Sequence, residues 1–540
     1  MGKRWPVQFV LLTSAVLMLG LSGVARAAPE KQPDVSVSSN EGSNPDFWQC
    51  NVDPAAKDLP REALIKKLQP AIAACGRIMA NPSHEGDVAQ ALVARGMAHH
   101  LLGDFGLAAA DFSAALKATG PKDKTAVGIL QDRGSSYLRL RDWDHAIADF
   151  TDALQRDPKN HNADQVLVSL GAAYFGKGDQ DKALESFTRS LKLNPGSTLA
   201  MTNRAALYLN RGDDDLALAD LNAALERRPN KADALINRGA ILARMGRVDD
   251  AIADLTAGVR LQPSNAMGWL ARGYALSARD RGAAEKDVRQ ALKLDPGSAQ
   301  AHQLLAALLR AGGDAKGALV EINEAIRLDP QDPLAFKMRG DAALAAGDAD
   351  GAIADFGRAI AMDPKLASAL NNRGAAYLAK SAPALAEADF TAAIGLNGGD
   401  VSAYLNRGLA RQALGARDGA MADFTAVLRL EPNTPQALRH RGFLAQEKGD
   451  FAAAQADYAQ AVALDPKDEE ALRGRGFAEL SLKRYDAAIA ALTAAVALDP
   501  RDVSAYHFRA QAYAGKNENK LALADLDAVD RLSGAGRPGR

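Results

Sequence analysis

The sequence predicts an all-α solenoid of about thirteen stacked helical hairpins over residues 85–532. Three observations carry that prediction. A block of about 34 residues recurs from Glu85 almost to the end of the chain, the period of units that bury their apolar faces against one another. An alanine returns at one place in the second helix of every unit: Ala108, Ala146, Ala183, Ala217, Ala251, Ala284, Ala318, Ala352, Ala386, Ala420, Ala454, Ala488 and Ala522. Most units then close with a proline two or three residues past that helix, where it blocks continuation: Pro158, Pro195, Pro229, Pro263, Pro296, Pro330, Pro364, Pro432, Pro466 and Pro500. A chain of 540 residues would ordinarily suggest several domains, but a solenoid core grows along one axis. The 5% aromatic content suits helix pairs packed through small residues.

The elements follow in order. Residues 1–27 read as an export signal: Lys3 and Arg4, an apolar run from Val7 to Leu21, and the small-x-small site Ala25-Arg26-Ala27. An uncleaved anchor is the alternative, since Val7 to Val24 approaches spanning length. No stable membrane span is expected after cleavage, which places the mature chain in the periplasm or outside the cell. Residues 28–44 are rich in Ser, Pro, Asn and Asp and read as a disordered linker. Residues 45–84 form an N-terminal helical cap holding the only two cysteines, Cys50 and Cys75. An even count in an exported chain favours a disulfide. Closing that loop would stabilise the cap by roughly 3 kcal/mol and staple Phe47-Trp48 and the coil after it onto a helix from Arg61 to Met79. The array fills residues 85–532 and a Gly/Arg/Pro tail residues 533–540.

Within each unit, helix A carries Arg-Gly with an apolar residue or Tyr three positions later. A Gly-Asp turn follows, then helix B with its Ala and, four residues on, Phe, Leu or Ile. The Gly/Ala positions are Gly96, Gly134, Gly171, Ala205, Gly239, Gly273, Ala306, Gly340, Gly374, Gly408, Gly442, Gly476 and Ala510. This pattern resembles the tetratricopeptide repeat (TPR), whose signature is Gly at eight, Tyr at eleven, Ala at twenty, an aromatic at twenty-four and a closing Pro. The resemblance covers nearly the whole array and implies a right-handed TPR superhelical solenoid of about thirteen helix-turn-helix repeats. Departures fall near Gly120 to Thr125 and His161 to Ala163, where residues are inserted. The turn Lys380-Ser381-Ala382-Pro383, in the unit that ends in Asn397-Gly398-Gly399, is where the array should be most pliable. Asp530 replaces the apolar residue found at that place in the other units, as an open terminal repeat requires.

Catalytic chemistry is missing from the pattern. No nucleophile elbow, phosphate loop, dinucleotide fingerprint or His-Glu-x-x-His appears, so neither enzyme activity nor a cofactor is expected. The eight histidines are scattered, and the adjacent pair His99-His100 points about 100° apart, a poor metal chelate. A net charge of −1, more negative once Lys3, Arg4 and Arg26 leave, offers no nucleic acid footprint. Arg just before the Gly and Asp just before the helix B aromatic recur together and read as a ladder of ion pairs between packed helices. Where Leu170 replaces the Arg, Ser186 replaces the acid; Leu305, however, still faces Glu321.

The functional candidates lie two residues before the Gly/Ala, on the inner face of helix A: Asn203, Asn237, Asn372 and Asn406, with Asn371 beside one of them. An amide both donates and accepts, so a row of them can grip an extended peptide backbone of any sequence. The row resembles part of the asparagine ladder in the repeat domain of O-linked N-acetylglucosamine transferase, though Ala271, Leu304, Met338, His440, Gly474 and Phe508 interrupt it. A carboxylate clamp like that of heat-shock-protein adaptors is disfavoured, because Asp341 stands where the clamp beside Lys337 needs Asn. Trp269 and Tyr274 leave a glycan as a possible ligand. The resemblance to exported bacterial TPR proteins implies a noncatalytic protein–protein interaction scaffold of the cell envelope that holds peptide segments of other proteins. The alternative is a substrate-recruiting accessory subunit of an envelope enzyme or polysaccharide-export complex.

Overall fold

The computed structural model describes residues 46–53, 56, 59–83, 86–120, 125–158 and 161–533. The expected export signal, the linker, and all of the tail but Ser533 lie outside the described residues. Among those described there are 28 helices and no strand.

Two helices form the cap, α1 (Asp46–Gln49) and α2 (Arg61–Ala80). Thirteen hairpins follow. The first seven pair α3 (Asp87–Leu102) with α4 (Phe105–Thr119), α5 (Thr125–Arg139) with α6 (Trp143–Arg156), α7 (Ala163–Lys177) with α8 (Gln180–Leu193), α9 (Thr198–Arg211) with α10 (Asp214–Arg227), α11 (Ala232–Arg244) with α12 (Val248–Leu261), α13 (Ala266–Leu276) with α14 (Arg281–Leu294), and α15 (Ala299–Ala311) with α16 (Ala315–Leu328). The remaining six pair α17 (Pro333–Ala345) with α18 (Ala349–Met362), α19 (Ala367–Ala379) with α20 (Pro383–Leu396), α21 (Val401–Ala413) with α22 (Arg417–Leu430), α23 (Pro435–Glu447) with α24 (Phe451–Leu464), α25 (Glu469–Ser481) with α26 (Tyr485–Leu498), and α27 (Val503–Gly515) with α28 (Asn519–Leu532). From α3 onward, odd numbers are A helices and even numbers B helices. The chain forms two compact units, Met1–Pro296 and Gly297–Arg540, holding α1–α14 and α15–α28.

Close approach explains the small residues. A Cβ placed on Gly374 would stand 2.7 Å from the ring of the fully buried Phe390, so α19 and α20 can meet only through glycine. The recurring helix B alanines, Ala108 through Ala522, are all buried. Inside each compact unit the A helices also pack against the B helix before them, as α21 does on α20 and α25 on α24. Within each compact unit most successive A helices touch directly, as α11 and α13 or α25 and α27 do, and successive B helices do not approach as closely as these. The A helices therefore line the inner side of each stack.

Most A–B turns need one left-handed residue. Gly212 supplies it with φ 82°, closing Asp213 N onto Tyr208 O at 2.9 Å. Ser381 takes the same place with φ 55°, and Ala382 N closes onto Tyr377 O at 2.9 Å. The turn expected to be most pliable thus carries the ordinary hydrogen bonds. The end of its unit does too: Gly399 N bonds the side chain of Asn397 at 3.2 Å, as Lys365 N bonds Asp363 at 3.0 Å in the preceding, proline-closed unit. The hairpin α13–α14 is one residue shorter and reaches Asp280 from Ser277 without a left-handed residue.

Cys50 and Cys75 are bonded, with Cα atoms 4.8 Å apart. The staple works as expected on the coil after α1, where Val52 and Ala56 are buried against Leu64, Leu68 and Ala98. Trp48 stays outside, 69% exposed. Arg77 holds the other end by donating to Asp46 at 2.6 Å.

Candidate functional site

The charged ladder runs beneath the candidate amides. Ten arginines on A helices each donate through Nε and Nη2 to both carboxylate oxygens of the Asp on their own B helix: Arg95–Asp111, Arg133–Asp149, Arg204–Asp220, Arg238–Asp254, Arg272–Asp287, Arg339–Asp355, Arg373–Asp389, Arg407–Asp423, Arg441–Asp457 and Arg509–Asp525, at 2.5–3.1 Å. Hydrogen bonding to Asp220 raises the pKa of Arg204 and outweighs burial, so the guanidinium stays charged. Burial pushes Asp149 up against the pull of Arg133. These forks set the register between helices and leave no free charge for a ligand.

The exceptions obey the same chemistry. Ser186, opposite Leu170, turns its hydroxyl to Lys182 O at 2.7 Å. Glu321, opposite Leu305, takes His302 Nδ1 at 2.6 Å instead. Arg475 faces Ala491, and its buried Nε has no partner. Sequence reading missed a second prong. Nη1 of Arg204, Arg238, Arg272, Arg339, Arg407 and Arg509 donates to Thr188, Asn222, Thr256, Asn323, Thr391 and Thr493 on the preceding B helix, at 2.9–3.4 Å. Its signal was available: a Thr or Asn two residues after the ladder acid.

The five candidate asparagines divide into two sets. In the first unit, Asn203 on α9 and Asn237 on α11 are 8% and 6% exposed, and neither amide bonds to another described residue. In the second unit the amides are tied to one another. Asn406 on α21 donates to Asn371 Oδ1 at 3.2 Å, and Asn371 donates to Asn372 Oδ1 at 3.2 Å. Asn372 donates to Asp341 Oδ1 on α17 at 2.7 Å, and Lys337 donates to the other Asp341 oxygen at 2.7 Å. Lys337 is thereby neutralised and cannot clamp a carboxylate. Trp269 donates Nε1 to Pro263 O at 2.8 Å and lies under Arg272, 4.9 Å from its ring centroid. It serves packing. Among the described residues no group of three or more His, Cys, Asp or Glu could hold a metal ion, and no helix is long and apolar enough to cross a membrane.

A family model described as "Tetratricopeptide repeat" matches residues 132–198, 168–232, 202–266, 236–278, 274–333, 441–502 and 478–536. A "TPR repeat" model matches 340–381, and another "Tetratricopeptide repeat" model matches 401–434. The chain belongs to the tetratricopeptide repeat family. No curated protein matches this TPR chain. Among solved structures, it is similar to the APC/C hetero-tetramer Cut9-Hcn1, at 18% identity over 88% of this chain and 92% of that one, with a TM-score of 0.41. It is also similar to yeast Tom70, at 17% identity over 74% and 97% with a TM-score of 0.35. A tetratricopeptide repeat protein from Parabacteroides merdae shares 20% identity over 46% and 98%, with a TM-score of 0.38.

Proposed function

We propose that this TPR protein is a noncatalytic protein-interaction scaffold of the bacterial cell envelope that holds extended partner segments along its A-helix faces. One observation carries the reading. Asn203 and Asn237 stand on neighbouring A helices, more than nine-tenths buried, with amides that bond to no described residue. Neither amide is among the described buried polar atoms that lack a partner, so both reach the surface, where a peptide group laid across them can donate to one and accept from the other. The ladder charges beneath these two amides are consumed in the forks Arg204–Asp220 and Arg238–Asp254. The pattern of residues 1–27 and the bonded Cys50–Cys75 pair support the envelope location.

The test joins location to binding. A photo-crosslinking residue at Ala206, beside the amides, should trap partner segments in a bacterial envelope fraction. Purified partner should then bind the quadruple variant Asn203→Ala, Asn237→Ala, Asn372→Ala, Asn406→Ala at least tenfold more weakly. Unchanged affinity would overturn the amide reading, and a purely cytoplasmic protein would overturn the location.

A further inference from the structure

The A-helix face of the second unit changes character over its last three hairpins. The asparagine places hold His440, Gly474 and Phe508, and the A helices carry Phe443 on α23, Phe477 on α25 and Phe508 on α27. Phe443 is 38% exposed, and the rings of Phe477 and Phe508 lie 4.8 Å apart. Between Phe443 and Phe477 a side chain is missing: Gly474 holds the place that Asn372, Asn406 and His440 fill in earlier repeats. A Cβ there would sit 2.4 Å from the ring of the buried Tyr458, so that ring fills the space a side chain would take.

An acid-rich cleft adjoins this row. It is an open cleft of about 570 Å³ between the start of α23 and the start of α25, lined by Gln436, Arg439, Asp465, Lys467, Glu469 and Glu470 among others. Gln436, Arg439 and Phe443 share one stripe of α23, and Glu470, Gly474 and Phe477 one stripe of α25, so cleft and aromatic row are continuous. Arg439 bridges the two helices by donating to Glu470 and lies 3.6 Å from Asp468. Arg473 is shared by Glu469 at 3.3 Å and Asp502 at 2.7 Å. Five carboxylates (Asp465, Asp468, Glu469, Glu470 and Asp502) thus meet three cations (Arg439, Lys467 and Arg473). Burial, and then the hydrogen bond and charge of Asp502, raise the pKa of Glu469 against the pull of Arg473.

We propose that this end of the second unit selects partner segments carrying a basic side chain beside a large apolar one. The cation enters the acid-rich cleft, and the apolar group lies on the exposed ring of Phe443. An acidic segment would meet uncompensated charge, and a purely polar one would leave the rings uncovered. The inference rests on the reading that A-helix faces hold extended polypeptide.

Fluorescence anisotropy of the full chain with labelled Gly/Ser peptides tests it. The peptides carry Arg and Phe separated by one, two or three residues, with counterparts holding Glu in place of Arg or Ala in place of Phe. The best Arg/Phe peptide should bind at least tenfold more tightly than either counterpart. Phe443→Ala should erase the preference for Phe, and Glu470→Gln should weaken the preference for Arg severalfold. Both side chains are exposed, so the variants should fold, which circular dichroism verifies. Equal binding of all peptides, or preferences that survive both variants, overturns this inference alone. Binding of no peptide overturns the polypeptide reading and this inference together.

Discussion

Asn237 in the first unit and Asn372 in the second occupy the same place in their repeats, yet one amide is unpartnered and the other is tied down. The difference comes from the residue 31 positions earlier, on the neighbouring A helix. For Asn372 that residue is Asp341, which accepts its amide. For Asn237 it is Ala206, and for Asn203 it is Ala172. The side chain that might otherwise reach Asn237, Thr202, spends its hydroxyl on Thr198 O at 2.7 Å. The first unit therefore leaves these two amides unbonded to any described residue, while the second uses its own as staples between helices.

The largest effect should come from what the two units share. Asp220→Ala and Asp389→Ala each strand a fork arginine, Arg204 or Arg373, that is mostly removed from solvent. Each should cost about 3 kcal/mol. Hydrogen exchange should show the loss locally, in α9–α10 for the first variant and α19–α20 for the second. Arg204 keeps Thr188 as an acceptor whereas Arg373 has no second prong among the described residues, so the Asp389→Ala cost should be slightly the larger, and the reverse order would weaken this account of the ladder.

Next comes the staple itself. Asp341→Ala leaves Lys337 and Asn372 without their acceptor and should cost about 2 kcal/mol, read as faster exchange in α17 and α19. Asn372→Ala should cost about 1 kcal/mol and Asn237→Ala close to nothing. The sharper variant is Ala206→Asp, which supplies the first unit with the missing acceptor. It should stabilise α11 and weaken partner binding there. If Asn237→Ala proves as costly as Asn372→Ala, the first amide is structural too.

The sequence announced some of this and concealed the rest, for physical reasons. Hairpins, the small-residue positions and the ion-pair ladder were legible because each recurs at helical spacing in register. Even Ser186 could be read as compensation for Leu170. Glu321 could not, because His302 reaches it from one turn before the expected Leu305. The fate of each asparagine was hidden for the same reason: it depends on a neighbour one repeat away, and nothing local to Asn-Arg-Gly reveals whether that neighbour is Ala or Asp. The aromatic end was also overlooked. Phe443, Phe477 and Phe508 occupy inner-face positions of consecutive repeats, but not the same position, so a scan of one column misses them.

The smallest effect concerns the turns that follow the two amide helices. Gly212 after α9 and Ser381 after α19 adopt the same left-handed conformation, with φ 82° and 55°. A side chain in that region costs about 1–2 kcal/mol, partly offset because glycine loses more freedom on folding. Ser381→Gly should therefore stabilise the second unit by about 0.5 kcal/mol, and Gly212→Ala should destabilise the first by about 1 kcal/mol. Both are readable as changes in exchange of the flanking helix ends. A destabilising Ser381→Gly would show that the serine side chain contributes to the turn beyond its backbone conformation, and that the two amide helices are not held by equivalent corners.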